Sequence, residues 1–157
     1  MADASMNTVL DAVDRAILTE LIADARMPMS EVARRAGVSA PTAAERLRKL
    51  EAAGVVTGYR AVIDPAALGL TVSAWVRVRP ATGQLPRIAE LARMTPTITE
   101  CHRTTGEDCF LMHVHAPTVA ALEDVLDSFL LYGQTITAVT VSTPVPPRAV
   151  PLARDAE

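Results

Sequence analysis

Basic residues are concentrated in one stretch of this chain, from Ser30 to Leu50. The stretch holds five cations and two anions, Glu31 and Glu45, so its net charge is +3, whereas the whole chain carries −3. Charge interactions in water are screened beyond about 10 Å at ordinary salt concentration, so a local cationic patch attracts phosphate even on an acidic protein. The stretch therefore has the electrostatics of a nucleic-acid contact. Its basic residues are Arg34, Arg35, Arg46, Arg48 and Lys49.

The same stretch predicts two short helices joined by a tight turn. Ser30 is expected to cap the first helix, and Gly37 supplies the turn because a residue without a Cβ adopts the left-handed conformation readily. Ser39 is expected to cap the second helix, with Pro41 in its first turn, where the missing N–H costs nothing. Apolar residues of the second helix repeat at i, i+4 and i+7 and form its inner face: Ala43, Leu47 and Leu50.

The outer face of the second helix begins with short polar groups and continues with cations. That order suits a helix end placed in a DNA major groove and steadied by phosphates. The residues expected nearest the base edges are Ser39, Pro41, Thr42 and Glu45, and the five cations named above are expected to contact phosphates. A basic helix face is also common as a solvated surface, so the pattern leaves both interpretations open.

A preceding helix is expected between residues 11 and 25, with Val13, Ile17, Leu18, Leu21 and Ile22 on one stripe. Three helices are the minimum that buries the backs of a helix-turn-helix pair. After Gly54, which ends the second helix, a segment rich in β-branched residues leads away. We therefore expect a DNA-binding domain over 1–56 and a connector over 57–69. A domain of that size is marginally stable alone, which favours help from a partner chain.

The second half of the chain changes to the alternation typical of strands. The predicted order is a strand at 71–79, a helix at 85–94, strands at 98–104 and 109–115, a helix at 118–131 and a strand at 135–142. This β-α-β-β-α-β order is that of a ferredoxin-like sandwich over 70–145, followed by a tail over 146–157. The predicted fold class is α+β, a helix-turn-helix (winged-helix-like) domain joined to a ferredoxin-like βαββαβ sandwich.

A sandwich of this type covers one sheet face with its helices and leaves the other bare. The alternation puts Trp75, Leu111 and Val139 on or near the bare face, and apolar side chains of that size are rarely left in water. Pairing with a second copy would bury them. We therefore expect a homodimer, which also suits two helix-turn-helix units reading half-sites about one DNA turn apart.

The composition bounds the remaining possibilities. No apolar run approaches the roughly 18 residues of a membrane span, and the N-terminus lacks a basic region followed by an apolar one. We expect a cytoplasmic protein without membrane contact, in which Cys101 and Cys109 are free thiols. The cysteines and His102, His113 and His115 show neither CxxC nor HxxxH spacing, so no metal site or cofactor is predicted.

At this point the chain resembles the Lrp/AsnC (feast/famine) family of transcriptional regulators from about Leu10 to Val145. The residues that carry the resemblance are LDAVDRAIL at 10–18, DARMPMSEVARRAGVSAPTAAERLRKLEAAGVVTGYRAVIDPAALGL at 24–70 and TTGEDCFLMHVH at 104–115. The middle run is the most specific, because it joins a helix-turn-helix to the family's connector. The resemblance implies a sequence-specific regulator of double-stranded DNA that is not an enzyme.

The resemblance also implies a small-molecule effector, usually an amino acid or related metabolite, bound between dimers that assemble into tetramers, octamers or larger rings. The implied effector site surrounds the glycine turn after the module's second strand, with contributions from an adjacent subunit. Its residues are Thr104, Thr105, Gly106, Glu107, Asp108 and Cys109, with Tyr132 and Gln134 from the adjacent subunit. Turn statistics alone would make Gly106 an ordinary hairpin glycine.

One departure from the family bears on this site. Many members have an acidic residue where this chain has Cys109, and the acid is shifted here to Asp108, which puts contact with an effector's α-amino group in question.

Two other functions are compatible with the architecture. One is a decarboxylase of tetrapyrrole intermediates that uses the three histidines, although no acid, base and nucleophile constellation accompanies them. The other is a DNA-architectural protein of low specificity.

Overall fold

The computed structural model describes residues 9–152, which divide into two compact units. The described part of the first unit comprises residues 9–61 and 147–152, and the second unit comprises 62–146. The division falls within the predicted connector, and residues 147–152 of the predicted tail belong to the first unit. Among the residues described, no helix is long and apolar enough to cross a membrane.

The first unit contains the three predicted helices. They are α1 (Ala12–Ala23), α2 (Met29–Arg35) and α3 (Ala40–Ala52). Their shared core consists of small and branched side chains, because the chain has few aromatic residues, and its buried members are Ile17, Val32, Ala33 and Ala43. Ile22, expected on the buried stripe of α1, is instead 47% exposed.

Side-chain caps fix the starts of two of these helices. Asp11 and Asp14 form a reciprocal capping box at α1, and Ser39 accepts a hydrogen bond from the Thr42 amide at α3, as predicted. The predicted cap at Ser30 is wrong. The helix α2 begins two residues earlier, at Met29 rather than at Glu31, because Pro28 takes the cap position and its carbonyl accepts the amides of Glu31 and Val32, at 2.9 and 3.0 Å.

Gly54 ends α3 through its left-handed conformation, with φ of 71°. The Val55 amide donates to the Leu50 carbonyl at 2.9 Å and the Gly54 amide donates to the Glu51 carbonyl at 3.0 Å, which is a Schellman termination. Residues 55–64 then form no strand. In the described part of the first unit there are three helices and no β-hairpin, so the winged-helix feature of the prediction is not found there.

The second unit is the predicted βαββαβ sandwich. After a short 3₁₀ turn at Pro65–Leu68 come β1 (Val72–Pro80), α4 (Leu85–Met94), β2 (Ile98–Arg103), β3 (Phe110–Ala116), α5 (Val119–Leu130) and β4 (Gly133–Val139). The sheet order is β2-β3-β1-β4, with every neighbouring pair antiparallel. The last strand begins at Gly133 rather than at residue 135 and ends at Val139 rather than at residue 142.

The core of this unit lies between the sheet and its two helices. Alternate residues of β1 and β3 are fully buried against α4 and α5, where Ile88 and Phe129 fill the same layer. Strict alternation of side chains in a strand explains why the sequence predicted this face correctly. The strand residues in that layer are Ala74, Val76, Val78, Phe110, Met112 and Val114.

The other sheet face, hereafter the open face, carries Trp75 and Leu111 as predicted. Val139 was assigned to it wrongly. Val139 lies opposite Ala74 in the register and therefore points to the helix side, whereas Ile136, opposite Arg77, lies on the open face and is half exposed. A one-residue error in strand alignment exchanges the two faces, because the side-chain period is two.

Histidines pack beside Trp75 on the open face. The His113 ring stacks on the Trp75 ring with centroids 4.3 Å apart, and its Nε2 lies 2.7 Å from the Ser73 Oγ. The neighbouring His115 is only 8% exposed, and its Nδ1 has no hydrogen-bond partner among the described residues. Burial, aided by the adjacent His113 and opposed by Glu100, lowers the pKa of His115 below its ordinary value.

This lowered pKa predicts that the protein loses stability in mild acid. As the pH falls from about 7.5 to about 5.5, the unfolded chain protonates His115 before the folded chain does, so the free energy of unfolding should decrease. The His115→Gln variant should show a smaller decrease in urea unfolding at fixed protein concentration. The exposed His102→Gln variant serves as the control and should retain the decrease, and equal slopes for wild type and His115→Gln would contradict the assignment.

Candidate nucleic-acid interface and small-molecule site

The exposed surface of α3 is polar at its start and cationic further along. Pro41, Thr42, Glu45, Arg46 and Lys49 line a shallow depression on it. The Ser39 and Thr42 hydroxyl oxygens are 2.8 Å apart, so the capping interaction that starts the helix also orients the first polar side chains of its surface.

The two cations at the far end of α3 are paired within the helix. Arg48 lies 2.5 Å and Lys49 3.9 Å from the Glu45 carboxylate, and both cations are largely exposed. Exposed pairs of this type contribute at most about 1 kcal/mol, so a phosphate can replace the carboxylate at little cost. The helix thus presents two cations that are accessible and exchangeable.

Arg34 and Arg35 converge on a single carboxylate of α2. Glu31 accepts hydrogen bonds from both guanidinium groups, at 2.6 to 2.8 Å, and these bonds lower its pKa to about 2. Arg35 also bonds Glu20 of α1 at 3.0 Å, whereas Arg34 is the more exposed of the two. Arg35 therefore links α2 to α1 through this ion pair. Arg34, with the more exposed side chain, is more accessible to a phosphate.

Arg46 is engaged within the protein. Its guanidinium bonds Asp11 and lies 3.2 Å from an oxygen of Asp14, which is buried at the start of α1. The pKa of Asp11 is lowered mainly by the Asp14 amide and then by Arg46. Arg46, predicted as a phosphate contact from the sequence, thus bonds the capping box of α1 from the exposed helix.

The hairpin between β2 and β3 brings together the first six predicted effector residues. The Thr104 amide donates to the Cys109 carbonyl at 2.9 Å, and the Thr104 hydroxyl donates to the Asp108 carbonyl at 2.8 Å. Gly106 has φ of 100°, a conformation that side-chain-bearing residues rarely adopt. Its glycine is therefore required by the turn itself, whatever else the loop binds.

Two arginines of β1 bind the acidic residues of this hairpin. The Arg79 guanidinium lies 2.9 Å from Glu107 and 3.2 Å from Asp108, and Arg77 lies 3.6 Å from the other Asp108 oxygen. The sequence analysis did not include either arginine in the site. Their alternation with Trp75 placed them on the open face, but only the fold shows that the end of β1 lies beside the hairpin.

The structure separates the two remaining candidates. Gln134 lies opposite Arg79 in the register and is exposed on the open face, so it neighbours Arg79 of the same chain on the side of β1 away from the hairpin. Tyr132 packs against the helix-side core, with the Arg87 guanidinium 5.7 Å from its ring. Gly133, which lies between them in the sequence, cannot be replaced by a larger residue without a steric clash, since an added Cβ would lie 2.3 Å from the Arg79 carbonyl oxygen.

Neither the cysteines nor the histidines form an obvious metal site. Within residues 9–152, no group of three or more His, Cys, Asp or Glu side chains is arranged to hold a metal ion. Cys101 and Cys109 are free thiols, in line with the sequence prediction.

A helix-turn-helix unit with cations on its exposed helix, followed by a ferredoxin-like unit, defines a DNA-binding regulator with a separate sensing module. Family models agree with this class. Residues 10–51 match the AsnC-type helix-turn-helix domain, and residues 71–150 match the Lrp/AsnC ligand binding domain. The chain belongs to the Lrp/AsnC family of DNA-binding transcriptional regulators.

Similar proteins support the same assignment. The chain is 37% identical over 138 residues to the transcriptional regulator LrpA of Mycobacterium tuberculosis, covering 87% of this chain and 91% of LrpA. The solved structure of Bacillus subtilis LrpC matches with a TM-score of 0.83 at 32% identity, covering 88% of this chain and 99% of LrpC. A feast or famine regulatory protein of M. tuberculosis, solved in complex with L-methionine, matches with a TM-score of 0.84 at 33% identity, covering 90% and 99%. These relatives are regulators, not enzymes.

The contacts of Arg46 predict that it and Lys49 affect DNA binding differently. Lys49→Gln should weaken binding to a duplex and reduce the salt slope of log K by about 1 per protomer, because one phosphate contact is lost. Arg46→Gln should weaken binding with little change in slope and should lower the thermal unfolding midpoint slightly, because the ion pair with α1 is lost. Fluorescence titrations at several salt concentrations, with thermal unfolding of each variant, measure both. A reduced slope at unchanged stability for Arg46→Gln would identify a direct phosphate contact instead.

Proposed function

We propose that this regulator is ligand-responsive and sequence-specific, with an amino acid or a related small metabolite as its effector. The observation that carries the proposal is the combination of an exposed cationic α3 with a charge-lined hairpin in the ligand-binding module. Relatives solved with L-methionine support an effector of this class. A regulator that binds DNA must be in the same compartment as that DNA, which supports the cytoplasmic location expected from the sequence.

In the proposed DNA complex, the start of α3 enters the major groove. Ser39, Pro41, Thr42 and Glu45 lie nearest the base edges, since they occupy the first turns of the exposed helix. Arg34, Arg48 and Lys49 contact phosphates, Arg35 contributes to the same charged surface, and Arg46 holds α3 in position. If a dimer neutralises about six phosphates, its affinity falls by roughly three decades between 50 and 200 mM salt.

A homodimer formed through the open face is part of the proposal. Trp75, Leu111 and Ile136 leave apolar surface on that face, and packing a second sheet on it removes this surface from water. A two-fold dimer also supplies the two reading heads that a half-site pair requires. Further assembly of dimers into tetramers, octamers or larger rings creates the interface at which the effector binds.

The proposed effector site is the hairpin from Thr104 to Cys109, with Gln134 and Tyr132 contributing from neighbouring positions or subunits. An effector bound between dimers changes their packing and therefore the spacing of the reading heads along a promoter. Coupling of this type is typically worth about 1–3 kcal/mol, which changes occupancy without abolishing it.

The direct test is a DNA titration on the fragment upstream of the gene that encodes this chain. Binding should be tight, salt-sensitive and selective over a scrambled duplex, and it should shift when pooled amino acids are added, because the effector alters the assembly. Equal, weak binding to both duplexes would favour the low-specificity architectural protein. Unchanged affinity and assembly across the amino-acid panel would remove the ligand from the proposal.

The dimer has its own test, the Trp75→Arg variant. A guanidinium at this position should weaken dimerisation by about 2 kcal/mol or more, because a charge would then be buried without a partner. Sedimentation equilibrium measures the change in association. Glu123→Arg, an exposed site on α5, is the control for the added cation and should remain dimeric. A dimer of unchanged affinity in Trp75→Arg would exclude the open face as the interface.

A further inference from the structure

Four side chains of opposite charge meet where β1 ends beside the β2–β3 hairpin. We call Arg77, Arg79, Glu107 and Asp108 the hairpin charge cluster. It contains two cations and two anions, so it is neutral as a whole, and Arg79 contacts both acidic residues. If a ligand carboxylate replaces one acidic partner, the displaced carboxylate must be solvated by water, so an exposed partner is exchanged at lower cost than a sheltered one.

The two acidic partners are not equivalent. The Asp108 side chain is 19% exposed and is contacted by both arginines, whereas the Glu107 side chain is 78% exposed and, among residues 9–152, pairs with Arg79 alone. Exposed ion pairs contribute little to stability, while removing a partner from a sheltered pair leaves a charge uncompensated. Asp108 is therefore the fixed member of the cluster, and Glu107 is the exchangeable one.

Arg79 offers a geometry suited to a carboxylate. It already uses Nε for Asp108, and the terminal nitrogen that bonds Glu107 faces an exposed partner. A guanidinium binds carboxylates with directed, charge-assisted hydrogen bonds that a lysine cannot reproduce. The exposed Gln134 lies opposite Arg79 on the adjacent strand β4.

We propose that Arg79 binds the carboxylate of the effector and that the Glu107 side chain occupies this position when no effector is bound. The inference rests on the proposed function, since it assigns a role to residues at the same hairpin. Glu107 then acts as an internal competitor, and Asp108 positions the two arginines. The effector must carry a free carboxylate, so amides and decarboxylated amines of the same side chain are excluded.

The test is calorimetric titration of the full chain with each proteinogenic amino acid, followed by the tightest binder and its α-amide. Arg79→Gln should weaken binding of the amino acid at least about tenfold, because a charge-assisted hydrogen bond is lost. Glu107→Gln should tighten it about threefold, because the competitor is weakened. Arg93→Gln, which removes an exposed cation from α4, is the matched control and should bind as wild type. The α-amide should bind the wild type at least about tenfold more weakly and should not respond to Arg79→Gln.

Several results would overturn the inference. Weaker binding by Glu107→Gln would make Glu107 a ligand contact rather than a competitor. Equal losses for the amino acid and its amide in Arg79→Gln, with normal circular dichroism and thermal unfolding, would show that Arg79 acts through the loop. If wild type binds an amino acid and Arg79→Gln binds it equally well, the inference fails and the proposed effector class stands. If wild type binds none, both fail.

Discussion

Strict alternation of side chains along β1 and β3 is the constraint on which the second unit depends. One set of residues, including Val76 and Met112, is fully buried beneath α4 and α5. The other set must then lie on the open face, and it contains Trp75, His113 and the two arginines of the hairpin charge cluster. The residues that build the core therefore also determine which side chains are available for binding, and a shift of one residue in register would exchange the two sets.

The first unit is held together by a small apolar core and by ion pairs between its helices. Its core is small, because it is formed by short and branched side chains such as Val32 and Ala43, and ion pairs between helices supplement it. Arg46 joins α3 to the start of α1, and Arg35 joins α2 to α1. Cations in this unit thus differ in their partners, because Arg35 and Arg46 pair between helices whereas Arg48 and Lys49 pair only with Glu45 of α3 among the described residues. Exposure follows the same division, since the side chains of Arg48 and Lys49 are largely exposed while that of Arg46 is not.

Elements with a clear period were predictable from the sequence. The helix at Leu85–Met94 has the predicted bounds, and the βαββαβ order is confirmed, because both follow from local hydrophobic patterns. The cap at Ser30 was wrong by two residues, because Pro28 takes that position. Val139 was assigned to the wrong face because the pairing of β4 with β1 sets it opposite the buried Ala74, and a one-residue error in alignment exchanges the faces. The partners of Arg46 and Arg79 were not predictable, because they are distant in sequence and meet only once the helices and strands have packed. Spacing identified the hairpin that ends at Cys109, but it could not identify which strand supplies the opposite charge.

The acidic residue of the hairpin, Asp108, lies where the end of β1 brings Arg77 and Arg79 against it. Many Lrp/AsnC proteins carry an acid at the position of Cys109, where contact with an effector's amino group is expected. In this chain the sheltered carboxylate of Asp108 is already compensated by Arg77 and Arg79. A carboxylate held by two guanidinium groups is a poor acceptor for a further ammonium, because the new contact would compete with bonds that are already formed. The proposed recognition of an effector through its carboxylate is consistent with this arrangement, because Arg79 has an exposed partner in Glu107 while Asp108 is sheltered.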